Sequence, residues 1–105
     1  MKKSIVTEIV NFEISPDLQE IEFIEIVNFL EESFHMRQSG YIDSELLKGK
    51  ENNWTIIMHW KSIDEVKQAS RLMMKDASTA SFRSVIIPTS VKMSYLEQVD
   101  TWKIE

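Results

Sequence analysis

Residues 54–66 read WTIIMHWKSIDEV, and this stretch decides the fold. Side chains along a strand alternate between two faces. Trp54, Ile56, Met58 and Trp60 therefore share one face, and Thr55, Ile57, His59 and Lys61 share the other. Ser62 with Glu65 three residues on has the capping-box spacing that opens a helix. Val66, Ala69, Ser70 and Met73 follow at helical spacing and form its inner face. The stretch is a buried strand that delivers the chain into a capped helix.

Working outward, SIVTEIVNFEI alternates from about Ser4 to Ile14 and reads as a first strand. Its faces are Val6, Glu8, Val10 and Phe12 against Ile5, Thr7, Ile9 and Asn11. SPD then opens a helix, with Ser15 as N-cap, Pro16 at the first helical position and Asp17 at the positive end of the dipole. Phe23, Ile26, Val27, Leu30 and Phe34 make its apolar stripe, and Gly40 ends the region. YIDSELLKG is a second strand, joined to the third (Trp54 to Lys61) through the turn residues of KGKENN. DASTASFRSVII forms a short helical piece stopped before Pro88, and SVKMSYLEQV is the last strand, with Val91, Met93 and Tyr95 on one face. The order βαββαβ predicts one α+β domain over residues 1–105, ferredoxin-like, with a four-stranded antiparallel sheet and helices on one face.

Composition narrows the function classes. A chain of 105 residues buries roughly 65% of its unfolded surface and folds unaided. It has no cysteine, which excludes disulfides, thiolate catalysis and Cys-based zinc sites. A net charge of −5 opposes attraction to nucleic acid and to anionic membranes. The start MKKSIVTEIVNFEI lacks the apolar core of a signal peptide, and a cytoplasmic location is expected. Helices cover only one face of such a sheet, so the other face needs a partner. Face-to-face homodimerisation meets that need. An RNA platform would require basic and glycine residues on the third strand, and NNWTIIMHW has neither.

GYIDSELLKG, WTIIMHWKSIDEVKQA and SFRSVIIPTSVKMSYLEQV together resemble the antibiotic biosynthesis monooxygenase family of dimeric α+β barrels. The resemblance rests on Gly40 and Tyr41 opening the second strand, and on Trp60, Ser62 and, less strictly, Glu65 at the strand–helix junction. It implies a homodimer with a pocket between sheet and helices in each subunit. It also implies oxidation of a small aromatic or quinol substrate by dioxygen, without flavin, haem or metal. A haem-degrading branch uses an Asn, a Trp and a His. Asn11 and Trp60 match two of these, but KDASTASFRSVI, where the His belongs, has none. The alternative is a non-catalytic homodimer of the same fold that binds a small ligand or a partner protein.

Three side chains are the candidate catalytic residues. Trp60 can stack on a planar substrate and donate one hydrogen bond, although an indole at a strand end is more often core. Asn11 can orient a phenol or an oxyanion, although a strand-end amide often serves the backbone. Arg83, beside Phe82, can hold an anionic oxygen, although such an arginine is commonly solvated. His59 points away from the tryptophans, His35 sits near the negative end of the first helix, and the glutamates of that helix (20, 22, 25, 31 and 32) read as its solvated face. Met58, Met73, Met74 and Met93 suit either an adaptable pocket or core filling. No cofactor or metal site is expected, and no hydrolase elbow, phosphate loop or dinucleotide fingerprint occurs.

Overall fold

The computed structural model describes residues 4–104. Strand β1 spans Val6–Glu13, β2 Tyr41–Lys48, β3 Asn53–Trp60 and β4 Lys92–Glu97. Helix α1 spans Glu20–Ser33, α2 Ile63–Met73 and α3 Ala80–Val85, with 3-10 turns at His35–Arg37, Ala77–Thr79 and Pro88–Ser90. The sheet order is β2-β3-β1-β4, and every neighbouring pair is antiparallel. This is the expected ferredoxin-like α+β arrangement. The leading MKK, part of the signal-peptide reading, lies outside the described residues. No helix among the described residues is long and apolar enough to cross a membrane.

The register sorts the side chains as the alternation predicts. Val6, Glu8 and Phe12 of β1 and Trp54, Ile56, Met58 and Trp60 of β3 are buried under the helices. Phe23, Val27, Leu30 and Phe34 meet them from the α1 side, and Val66 and Ala69 from α2. One end of this layer is an aromatic cluster. Phe23 lies 4.9 Å from Trp54 between ring centroids, and Phe12 lies 5.5 Å from Phe82 edge to face. Such pairs add about 0.5–1.5 kcal/mol each beyond simple burial.

Two local expectations need correction. Ser15 is not the N-cap of α1; Gln19 is, in a reciprocal capping box with Glu22. The chain cannot turn into a helix at Ser15 because it is still pinned in extended form there. Ile14 bridges Ile86, and the Ser15 amide donates to the Val85 carbonyl at 3.0 Å. Only after the turn in which Leu18 N–H bonds Ser15 O does the helix begin. Glu31, read as solvated, is half-buried and tied into the interior.

The junction quoted at the outset is a clasp. Ser62 caps α2 by accepting from the Glu65 amide, and the Glu65 carboxylate accepts from Ser39 Oγ at 2.6 Å and Ser62 Oγ at 3.0 Å. Gly40 sits at φ +85°, and a Cβ there would lie 2.4 Å from the Glu65 carboxyl carbon. Lys61 N–H closes the clasp on Gly40 O at 2.8 Å.

Candidate active site

Between the sheet and the helices lies a cavity of about 510 Å³ that runs from Trp60 to Phe82 of the aromatic cluster. That is within the usual range for a small-molecule site. Its walls are mostly apolar, with all four of the methionines singled out above, Met58, Met73, Met74 and Met93, on the lining. Trp60, Glu8, His35 and Arg83 supply the polar contacts.

Glu8 is the central feature. It is 4% exposed, on the inward register of β1 between Val6 and Val10. Trp60 Nε1 donates to its Oε1 at 3.0 Å. Burial pushes the Glu8 carboxyl above the ordinary carboxylate range; the charge of nearby His35 and the indole N–H pull it part of the way back.

His35, 6% exposed, comes from the 3-10 turn after α1. Its ring stands edge-on to Trp60, 6.2 Å between centroids, and its Nδ1 is bonded to Glu31 Oε2. The other Glu31 oxygen accepts from Ser44 Oγ at 2.5 Å, and Ser44 Oγ lies 2.6 Å from Tyr41 OH. With the Ser44 proton committed to Glu31, the phenol is the donor in that last bond. Burial pushes the Tyr41 phenol up, so it stays a donor at physiological pH. The result is a chain of hydrogen bonds from β2 to the cavity wall.

The three residues singled out from sequence do not converge. Trp60 is buried in the cavity wall. Arg83 reaches the same cavity, but its Nε donates to Thr79 Oγ1 at 2.9 Å and an Nη2 to Asp76 O at 3.3 Å. It braces the α2–α3 connection as much as it faces the cavity. Asn11 lies on the opposite face of the sheet, exposed, accepting from Thr55 Oγ1 at 2.6 Å. The strand period separates it from Trp60, and it does not reach the cavity. His59 is on that outer face too, 2.6 Å from Asp43.

Glu8 and His35 were missed. The signal for Glu8 was in plain alternation: a carboxylate in the inward series Val6, Glu8, Val10, Phe12. For His35 it was the i, i+4 spacing from Glu31 beside the buried Phe34. Among the described residues no group of three His, Asp or Glu side chains is arranged to hold a metal ion.

The fold, with a cavity under the helices, is that of the antibiotic biosynthesis monooxygenases. SnoaB, a cofactor-independent oxygenase from Streptomyces nogalater, superposes with a TM-score of 0.71 at 19% identity, covering 93% of this chain and 96% of that one. A protein described as a candidate antibiotic biosynthesis monooxygenase from Caulobacter crescentus gives 0.73 at 16%, covering 94% and 93%. A similarly described protein from Chloroflexus aurantiacus gives 0.70 at 16%, covering 97% and 100%. No protein-family model and no curated protein matches the sequence. At these identities the likeness is one of fold.

Proposed function

We propose that the protein is a cofactor-independent monooxygenase acting on a small planar phenol, quinol or enol held in the cavity. The observation that carries this reading is the Trp60–Glu8 pair: an indole wall in a mostly apolar pocket, hydrogen-bonded to a buried carboxyl with one oxygen left for the substrate. Trp60 stacks on the ring, Glu8 anchors an oxygen substituent, and Arg83 steadies the far end. The substrate anion gives one electron to dioxygen. The radical pair combines into a C–O bond, and loss of water leaves a carbonyl, so that RH2 + O2 gives R=O + H2O. Desolvation raises the energy of the anion and favours the first electron transfer. The fold shared with SnoaB is consistent with this chemistry.

Oxygen uptake with a panel of anthrones, naphthols and hydroquinones tests it. Turnover by the wild type, reduced about tenfold or more in Trp60→Phe and Glu8→Gln, is the expected result. Saturable quenching of tryptophan fluorescence without oxygen uptake would replace it with the ligand-binding reading.

We propose also that a second copy covers the outer sheet face. That face carries an aliphatic stripe, Ile9 of β1 with Ile57 of β3 and Ile5 just before β1, flanked by exposed Leu47 and Leu96. Of its charged side chains, Asp43 and Glu45 lie on edge strand β2, Lys92 on the opposite edge strand β4, and Glu13 at the end of the central β1. A two-fold axis along the strands sets β2 of one copy against β4 of the other, so that opposite charges meet. The accessible surface of 7429 Å² exceeds by roughly a fifth what a compact monomer of this mass presents. Part of the excess is the segment after β4, where Val99, Trp102 and Ile104 are 93%, 87% and 99% exposed.

A further inference from the structure

The oxygenation reading leaves one cluster unused: Glu31, His35 and the hydrogen bonds behind them. Glu31 is held at both oxygens, by His35 Nδ1 and by Ser44, and Ser44 is held in turn by Tyr41. His35 is wedged between Trp60 and Phe34, edge-on to both rings. Neither side chain is free to swing. Nδ1 is committed to Glu31, so any exchange of protons between this ring and the cavity runs through Nε2. A carboxylate on Nδ1 selects the tautomer with the hydrogen on Nδ1 and a lone pair on Nε2, and it stabilises the imidazolium formed when Nε2 takes a proton. The same Trp60 holds Glu8 through its Nε1, and burial raises the Glu8 pKa toward the neutral acid, a donor to an oxygen atom. A base and an acid share one apolar cavity.

We propose that His35, oriented by Glu31, is the general base of the site and that with Glu8 as donor it enolises a planar ketone, an activity that needs no dioxygen. The C–H bond next to the carbonyl breaks, the proton passes to Nε2, and the electron pair moves into the new C=C bond. The carbonyl oxygen takes a hydrogen bond from the Glu8 carboxyl as charge builds on it. Return of a proton to carbon completes the cycle without net oxidation. Where dioxygen is present, the enolate so formed is the electron donor. The proposal rests on the cavity being the substrate site and adds the residues that serve it as base and donor, together with a reaction that proceeds without dioxygen.

The test is hydrogen–deuterium exchange into 2-tetralone in anaerobic D2O, followed by NMR, with fluorescence quenching to establish that the ketone is bound. Wild-type protein is expected to accelerate exchange well above buffer. His35→Asn and Glu31→Gln are expected to lower the rate about a hundredfold, mainly in kcat. In His35→Ala, added imidazole is expected to restore part of the rate, which a purely structural histidine would not permit. Exchange no faster than buffer at a saturated site, or full exchange in folded His35→Asn and His35→Gln, would overturn the proposal. Exchange without oxygen uptake would leave it standing while the oxygenation reading fails; oxygen uptake without exchange would do the reverse.

Discussion

Ile56 and Ile57 are neighbours in one strand and live in different surroundings. Ile56 points under the helices, where it is buried and lines the cavity; Ile57 points to the outer face among Ile9, Thr7 and Thr55, half-covered. The inner face is aromatic and apolar around a cavity, and its few polar side chains, Glu8 with Trp60 and His35 with Glu31, are paired. The outer face is aliphatic along its middle and charged at its edges. An interior that holds an ionisable cluster beside a void is arranged for small molecules. A flat aliphatic stripe with opposite charges at its two edges is arranged for a matching protein surface.

The hardest test of that contrast is Trp60→Ala. Removing the indole takes away the cavity wall and the Glu8 donor together, with an expected cost of about 3–5 kcal/mol in urea unfolding. A loss under about 1 kcal/mol would mean that the cavity wall is not packed as described. Next comes the neighbouring pair. Ile56→Ala should cost about 2–4 kcal/mol at every protein concentration. In the proposed dimer Ile57 packs on the second copy, and Ile57→Ala should then show a stability loss that changes with protein concentration. Equal, concentration-independent losses for both would break the comparison.

A smaller effect is expected at Gly40→Ala. The left-handed backbone costs a side chain about 1–2 kcal/mol, and the new methyl also displaces the Glu65 carboxylate. Circular dichroism melts with Gly40→Ala alongside Glu65→Gln separate the two contributions. Smallest, and opposite in sign, is Glu8→Gln. The folded state raises the Glu8 pKa, so it binds that proton more tightly than the unfolded chain does. Below the unfolded value both states are protonated and Glu8 costs nothing. As pH rises through the unfolded value to the raised folded one, the cost appears, and it is complete above. Glutamine keeps an acceptor for Trp60 without the charge. The variant should therefore be more stable than wild type at neutral pH, and the gain should fade as the pH falls through the ordinary carboxylate range. A uniform gain at all pH values would mean that ionisation of Glu8 is not the cause.

Strand alternation and the α1 stripe made the sheet, its faces and most of the core readable in the letters, because period-2 and period-3.6 patterns are local. The start of α1 was not readable, because the bridge from Ile14 to Ile86 holds the chain extended across a separation of 72 residues in sequence. The site was half-legible. Trp60 announced itself by size. Asn11 was overvalued by likeness of type, when its place in the series Ile5, Thr7, Ile9, Asn11 already set it on the outer face. Glu8 went unread although its place in the inward series of β1 gave it away. The Glu31–His35 pair went unread because a carboxylate on a surface helix is usually solvated, and only the position of the 3-10 turn against Trp60 reveals that this one is not.

The clasp at Gly40 has a mechanical consequence. It joins the segment that carries Glu31 and His35 to the strand end that carries Trp60, through Lys61 on one side and Glu65 on the other. The residues that made the chain look familiar, Gly40, Tyr41, Trp60, Ser62 and Glu65, are largely this hinge pin and its collar. The carboxylates at positions 8 and 31 add cross-ties of their own, to Trp60 and to Ser44.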